Sequence, residues 1–203
     1  MPLFPKGEKG EFSRGLRYKL CLVVTLECTV NSARRTLTLI RHAKSSWDQP
    51  LPDFDRPLNK RGRKNAPELG EWLAAQDITF DQILTSPAQR ALETTELVAK
   101  ALNIPDTAIT ADKSIYLASL STLFDLVRAL DDQHPRVALV GHNPGISYLA
   151  DHLVTAGPAT DMRTCACIQI RFPVTRWAEV GAHQGEQLFY HDPKSSVGRS
   201  FTA

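Results

Sequence analysis

The sequence predicts an α/β fold, a three-layer α/β/α sandwich around a mostly parallel mixed central sheet. Three observations predict it. From Arg34 onward, short β-branched runs alternate with stretches whose apolar residues recur at helical spacing. Two of those runs, "TLTLI" (Thr36 to Ile40) and "RVALVG" (Arg136 to Gly141), are apolar enough for strands buried on both faces. Near the end, two β-type runs follow one another across a polar loop and complete one side of the sheet.

The elements follow in chain order. "TLTLI" is the first strand, and "PDFDRP" (Pro52 to Pro57) is loop. A helix is expected from about Lys60 to Ala75 with Asn59 as its N-cap, and Pro67 inside it predicts a kink or a late start. "FDQILTS" (Phe80 to Ser86) reads as a strand. The next helix, Pro87 to Leu102, places Ala91, Thr95, Val98 and Leu102 on one face. "AITADKSIY" (Ala108 to Tyr116) suggests another strand. Leu120, Leu123, Phe124, Val127 and Leu130 mark an amphipathic helix, followed by the strand "RVALVG" and a helix from Pro144 to Thr155. "CACIQIRF" (Cys165 to Phe172) and "EQLFYH" (Glu186 to His191) are the closing strands, joined by a loop that carries Trp177.

Bulk properties exclude several function classes. The 203 residues suffice for one domain with an appendage and a sizeable core. A net charge of +2 without a long basic run disfavours nucleic acid as a partner. No segment is long and apolar enough to span a membrane. The histidines and the cysteines Cys21, Cys28, Cys165 and Cys167 fall in no metal-ligand spacing, so neither a metal nor another cofactor is expected. The irregular thiols suit a reducing compartment, and a cytoplasmic monomer is expected. Residues 1–33 differ in composition. "MPLFPKGEKGEFSRGLRYK" is rich in Gly, Pro and charge, and "LCLVVTLECTV" is an apolar run broken by Glu27 with poor cleavage grammar after it. These residues read as an extension, disordered with an added strand or foreign to the domain, and less well as a signal sequence. The domain proper is expected over 34–203.

The chemistry-bearing residues gather at strand ends, where open α/β sheets bind ligands. The first strand ends in Arg41-His42. Another ends in Ser86-Pro87 with Arg90 beyond it, and a third in Gly141-His142-Asn143-Pro144. If these strands are parallel neighbours, Arg41, His42, Arg90 and His142 converge. Ser86-Pro87 and Asn143-Pro144 each read as an N-cap followed by proline at the first helical position, which would aim helix N-termini at the same volume. Two guanidiniums, two imidazoles and helix N-termini suit a compact dianion such as phosphate. No phosphate-loop motif or metal cluster is apparent, which leaves histidine as nucleophile. Two nearby guanidiniums disfavour the imidazolium and keep His42 neutral. Attack by His42 would give a covalent phosphohistidine, with Arg41, Arg90 and His142 holding the phosphoryl oxygens.

"RHAKS" (Arg41 to Ser45), "DRPLNKRG" (Asp55 to Gly62), "SPAQRA" (Ser86 to Ala91) and "GHNP" (Gly141 to Pro144) together resemble the histidine phosphatase superfamily, and more closely its short SixA-type phosphohistidine phosphatase branch. The resemblance runs from about Arg34 to the C-terminus. It implies a mixed sheet between helical layers, a nucleophile at His42, its partner arginine at Arg41, the second arginine at Arg90 and the second histidine at His142. Lys44, Ser45, Arg56 and Asn143 are further candidates for substrate binding, although loop cations such as Lys44 and Arg56 serve solubility equally well. The implied substrate is a phosphorylated protein of the histidine-phosphotransfer type; a small phosphate ester such as a sugar phosphate is the alternative, and a non-catalytic phosphoprotein-binding module a third. One departure stands out. Asn143 occupies a position where one branch of the superfamily has an acid, and "DKSIYLAS" offers Asp112 where the mutase branch has a Glu. Either no general acid is needed, as suits a phosphoimidazole leaving group, or the acid is one of Asp48, Asp53, Asp55 and Asp112.

Overall fold

The computed structural model describes residues 34–155, 161–194 and 199–200. The extension over 1–33, with Cys21 and Cys28, lies outside the described residues. In chain order the elements are β1 (Arg35–Arg41), α1 (Lys60–Ala75), β2 (Gln82–Thr85), α2 (Gln89–Ala101), β3 (Ile109–Ala111), α3 (Leu120–Arg128), β4 (Arg136–Gly141), α4 (Gly145–Leu153), β5 (Cys167–Phe172), β6 (Glu186–His191) and β7 (Arg199–Ser200). The sheet order is β3-β2-β4-β1-β5-β6-β7. β3, β2, β4 and β1 run parallel, and β5, β6 and β7 each lie antiparallel to the preceding neighbour. β1 to β4 and β6 therefore point one way and β5 and β7 the other: a mostly parallel mixed sheet, as the alternation predicted.

Strand alternation divides the core between the two faces. Leu37, Leu39, Val137 and Leu139 pack with Leu123 and Val127 of α3 and Leu149 and Leu153 of α4. Their immediate neighbours in sequence, Ile40, Ala138 and Val140, pack instead with Leu69 and Leu73 of α1 and Val98 of α2. Helices thus cover both faces, and the central strands carry no solvent-facing side.

α1 begins with Asn59 as its N-cap, the side-chain oxygen accepting from Gly62 N at 2.9 Å. Pro67 does not delay it: the Arg63 N–H already donates to Asn59 O at 3.0 Å, and the helix continues through to Ala75. An interior proline costs about 3 kcal/mol. The buried Leu69 and Leu73 recover about 1.5–3 kcal/mol each, enough to carry the helix past it.

Two expected helix starts are corrected. α2 begins at Gln89 with Ala88 as N-cap, and α4 at Gly145 with Pro144 as N-cap, neither with a side-chain cap. The expected caps are occupied elsewhere. Ser86 Oγ accepts from Ala88 N at 3.3 Å but also bonds the His142 ring, and the Asn143 amide is spent on Asp161, Met162 and Ser147.

Candidate active site

The strand ends are level, and that brings the site together. β1 and β4 pair with Arg41 opposite Gly141, and His42 N continues the ladder to Gly141 O at 3.1 Å. β4 and β2 pair with Val140 opposite Thr85, and Ser86 N continues to Val140 O at 3.0 Å. Residues 42, 142 and 86 therefore leave three adjacent strands at one height. The imidazoles of His42 and His142 lie with ring centroids 4.9 Å apart, tilted by 55°. Arg90, in the first turn of α2, donates from Nε to His42 Nε2 at 3.3 Å.

His42 is 9% exposed and His142 4%. His42 Nδ1 lies 2.7 Å from the Ala43 carbonyl. A carbonyl only accepts, so Nδ1 carries the proton and Nε2 keeps the lone pair that receives Arg90. Burial pushes the His42 pKa down to about 3; the Ala43 hydrogen bond opposes this, while His142, Arg90 and Arg41 add to it. Burial likewise brings His142 down to about 4, helped by Arg90 and Arg41 and opposed by Asp53. Both rings are neutral near pH 7, and desolvation outweighs the neighbouring guanidiniums that the sequence suggested as the cause. His142 Nε2 is 2.8 Å from Ser86 Oγ, and its Nδ1 has no hydrogen-bond partner among the described residues. Arg41 donates to Met162 O at 2.5 Å and faces Asp161 at 3.9 Å.

Comparison with known proteins now places the chain. Residues 37–114 match the model of the histidine phosphatase superfamily, branch 1. An uncharacterized protein of Mycobacterium tuberculosis, Rv1276c, is 30% identical over 164 residues, which cover 76% of this chain and all of that protein. The chain belongs to the histidine phosphatase superfamily. The phosphohistidine phosphatase SixA of Escherichia coli is 27% identical over 116 residues, covering 57% of this chain and 71% of that one. The crystal structure of the SixA protein of Agrobacterium tumefaciens superposes with a TM-score of 0.68 at 25% identity, covering 78% of this chain and 98% of that one. The enzyme is a phosphatase.

Around the four central residues, the structure gives the other candidates protein partners. Arg56 donates from Nε to Ser46 O at 3.0 Å, from one Nη to Asp53 Oδ1 at 2.8 Å and from the other to Ser45 Oγ at 2.5 Å. Its guanidinium lies 3.2 Å above the centre of the Trp47 ring. Asn143 donates to Asp161 Oδ1 at 2.6 Å and Met162 O at 3.1 Å, and accepts from Ser147 Oγ at 2.9 Å. Arg41 and Asn143 thus both hold the Met162 carbonyl. The Lys44 side chain is exposed, while its carbonyl accepts from Asn59 N at 2.9 Å.

Asp53 gathers three side chains, Arg56, Arg90 and Tyr116. Arg90 reaches its carboxylate at 2.8 Å and also donates to its backbone carbonyl; Arg56 takes the other carboxylate oxygen, and Tyr116 donates its hydroxyl at 2.9 Å. Burial acts to raise the Asp53 pKa, but the Tyr116 and Arg90 hydrogen bonds and the two guanidinium charges outweigh it, so the group is held below its ordinary value. Asp53 is a carboxylate clamp that fixes Arg90. Tyr116, which the sequence did not single out, also sets its ring edge-on to His142 at 5.5 Å and 90°. Of the other acids considered, Asp48 accepts from Ser46 Oγ at 2.8 Å and Asp112 caps Ser114 N at 2.7 Å.

Proposed function

We propose that the enzyme hydrolyses phosphohistidine on proteins through a covalent phosphohistidine at His42. The observation that carries this reading is the state of the His42 ring. It is neutral, its proton is fixed on Nδ1 by Ala43 O, and its Nε2 lone pair lies beside Arg90 and the second imidazole. Nε2 attacks phosphorus while the phosphorus–nitrogen bond of the substrate breaks. A phosphoimidazole protonated on its distal nitrogen leaves as neutral imidazole. Water then attacks the His42 adduct, releasing inorganic phosphate and restoring the ring. Arg90 and Arg41 serve the non-bridging oxygens. Ser86 Oγ already accepts from Ala88 N, so its hydroxyl proton is free to donate to His142 Nε2. That leaves a proton on His142 Nδ1, a buried donor that a phosphoryl oxygen would satisfy.

The choice of substrate rests on Asp53 and Asn143. An alkoxide leaving group needs a proton. The carboxyl bonded to Arg90 is held ionised, and the side chain after His142 is an amide already spent on Asp161 and Met162. A phosphoimidazole needs no such donor. The similarity to SixA proteins supports the same choice. The test is a panel: a phosphorylated histidine-phosphotransfer protein against sugar phosphates and other small esters, with chelator present, for the wild type and His42→Ala. Fast, chelator-resistant loss of phosphate from the protein, abolished in His42→Ala, is expected. Appreciable rates on small esters alone would overturn the phosphohistidine reading.

A further inference from the structure

α1 opens against its own electrostatics. Its first five residues are Lys60, Arg61, Gly62, Arg63 and Lys64, with no acid in the first turn. Cations are disfavoured there, because the helix dipole is positive at that end. The four side chains are exposed. Arg63 and Lys64 are partly neutralised by Glu93 at 3.5 Å and Glu68 at 3.8 Å, whereas Lys60 and Arg61 have no ion pair among the described residues. A protein of net charge only +2 thus concentrates positive charge where it works against helix stability. Such local conflicts are characteristic of functional surface.

The same residues line two grooves. One, of about 240 Å³, is bordered by Arg56, Lys60 and Arg63; the other, of about 700 Å³, by Lys60, Arg61, Lys64 and Lys194. Asp48, Asn59 and Lys60 border both, so the grooves adjoin, and Asp48 is the one carboxylate among their described lining residues. The first groove is linked to the catalytic centre through its lining residue Arg56. Arg56 holds Asp53, Asp53 holds Arg90, and Arg90 holds His42.

We infer that this basic channel docks an acidic surface of the protein substrate, beside the phosphohistidine that enters the site. The inference deepens the proposed function and rests on it for the identity of the partner. Charge complementarity selects a carboxylate-rich face. A protein is favoured over single-stranded nucleic acid, which requires base stacking, because no aromatic side chain lines either groove among the described residues and the neighbouring exposed Trp47 already has a ring face covered by the Arg56 guanidinium.

The test uses the full chain and two fluorescein-labelled peptides of equal length, each with an unphosphorylated central histidine, flanked by glutamates in one and glutamines in the other. Binding is read by fluorescence anisotropy, so no turnover is needed. The acidic peptide is expected to bind at least tenfold more tightly than the neutral one, and K60Q/R61Q to remove at least fivefold of that affinity with the circular dichroism of the fold unchanged. K100Q/R128Q, which removes the same charge away from the grooves, should leave the affinity within twofold. Equal binding of the two peptides, no loss in K60Q/R61Q, an equal loss in K100Q/R128Q, or displacement of the acidic peptide by a lower concentration of an RNA oligonucleotide of equal charge would each overturn the inference. Hydrolysis of the phosphorylated peptides is measured separately; its failure would count against the phosphohistidine reading while the binding result stands.

Discussion

Arg90 shows how much one side chain is asked to do. Its Nε meets His42, one Nη meets the Asp53 carbonyl, and the other meets the Asp53 carboxylate. A lysine ammonium is a single point of charge and cannot reproduce that fork. Arg90→Lys is therefore expected to lower kcat/KM by about 10²–10³-fold, the loss typical of a missing transition-state donor. Steady-state kinetics check this, and a loss under threefold would remove Arg90 from the phosphoryl site. Arg41, His42, Arg90 and His142 were legible in the sequence because each follows a recognisable strand and strand ends are where such residues meet. Tyr116 was not, and Asp53 was legible only as one of four candidate acids, not as the partner of Arg90. Asp53 is one of several loop carboxylates, 37 residues from Arg90, and only the tertiary path of its loop selects it. Arg56 was legible as a loop cation near the pocket, but its engagement with Ser45, Ser46 and Asp53 depends on how two loops cross.

At the scale of elements, the site depends on α1 meeting the loop that follows β1. A Cβ built on Gly62 would stand 2.3 Å from the Lys44 carbonyl oxygen, a backbone atom that cannot swing away. Gly62→Ala is expected to destabilise the protein by about 1–3 kcal/mol, as overpacking does. It should also lower kcat, because Lys44 is two residues beyond His42. Urea unfolding and kinetics of the same variant check both effects, and an unchanged denaturation midpoint would contradict the close approach. The bounds of α1, β4 and β6 follow directly from apolar period and from the Asn59 cap. The starts of α2 and α4 do not, since Ser86 and Asn143 are drawn away from capping by partners distant in sequence, His142 for the first and Asp161 and Met162 for the second. β7 spans two residues, too few for any periodic signal.

Over the whole molecule, the parallel half of the sheet gathers β1, β4 and β2 so that two histidines are buried together uncharged. In the unfolded chain each titrates near 6.5, whereas in the fold they titrate at about 3 and about 4. Below pH 6.5 the unfolded state binds protons that the folded state refuses, so stability is fully present above that pH and is lost as the pH falls toward the folded values. The slope is at most about 1.4 kcal/mol per pH unit for each histidine. Urea unfolding at pH 7, 6 and 5 should show the decline, and His142→Gln should make it shallower; identical slopes would show that His142 is not buried neutral. The central claim, that His42 itself carries the phosphoryl group, is tested most directly by rapid quench with a ³²P-labelled phosphohistidine protein followed by peptide mapping. Acid-labile, alkali-stable label on the peptide containing His42, absent from His42→Ala, is the predicted result. Label on any other residue, or label that persists in His42→Ala, would contradict it.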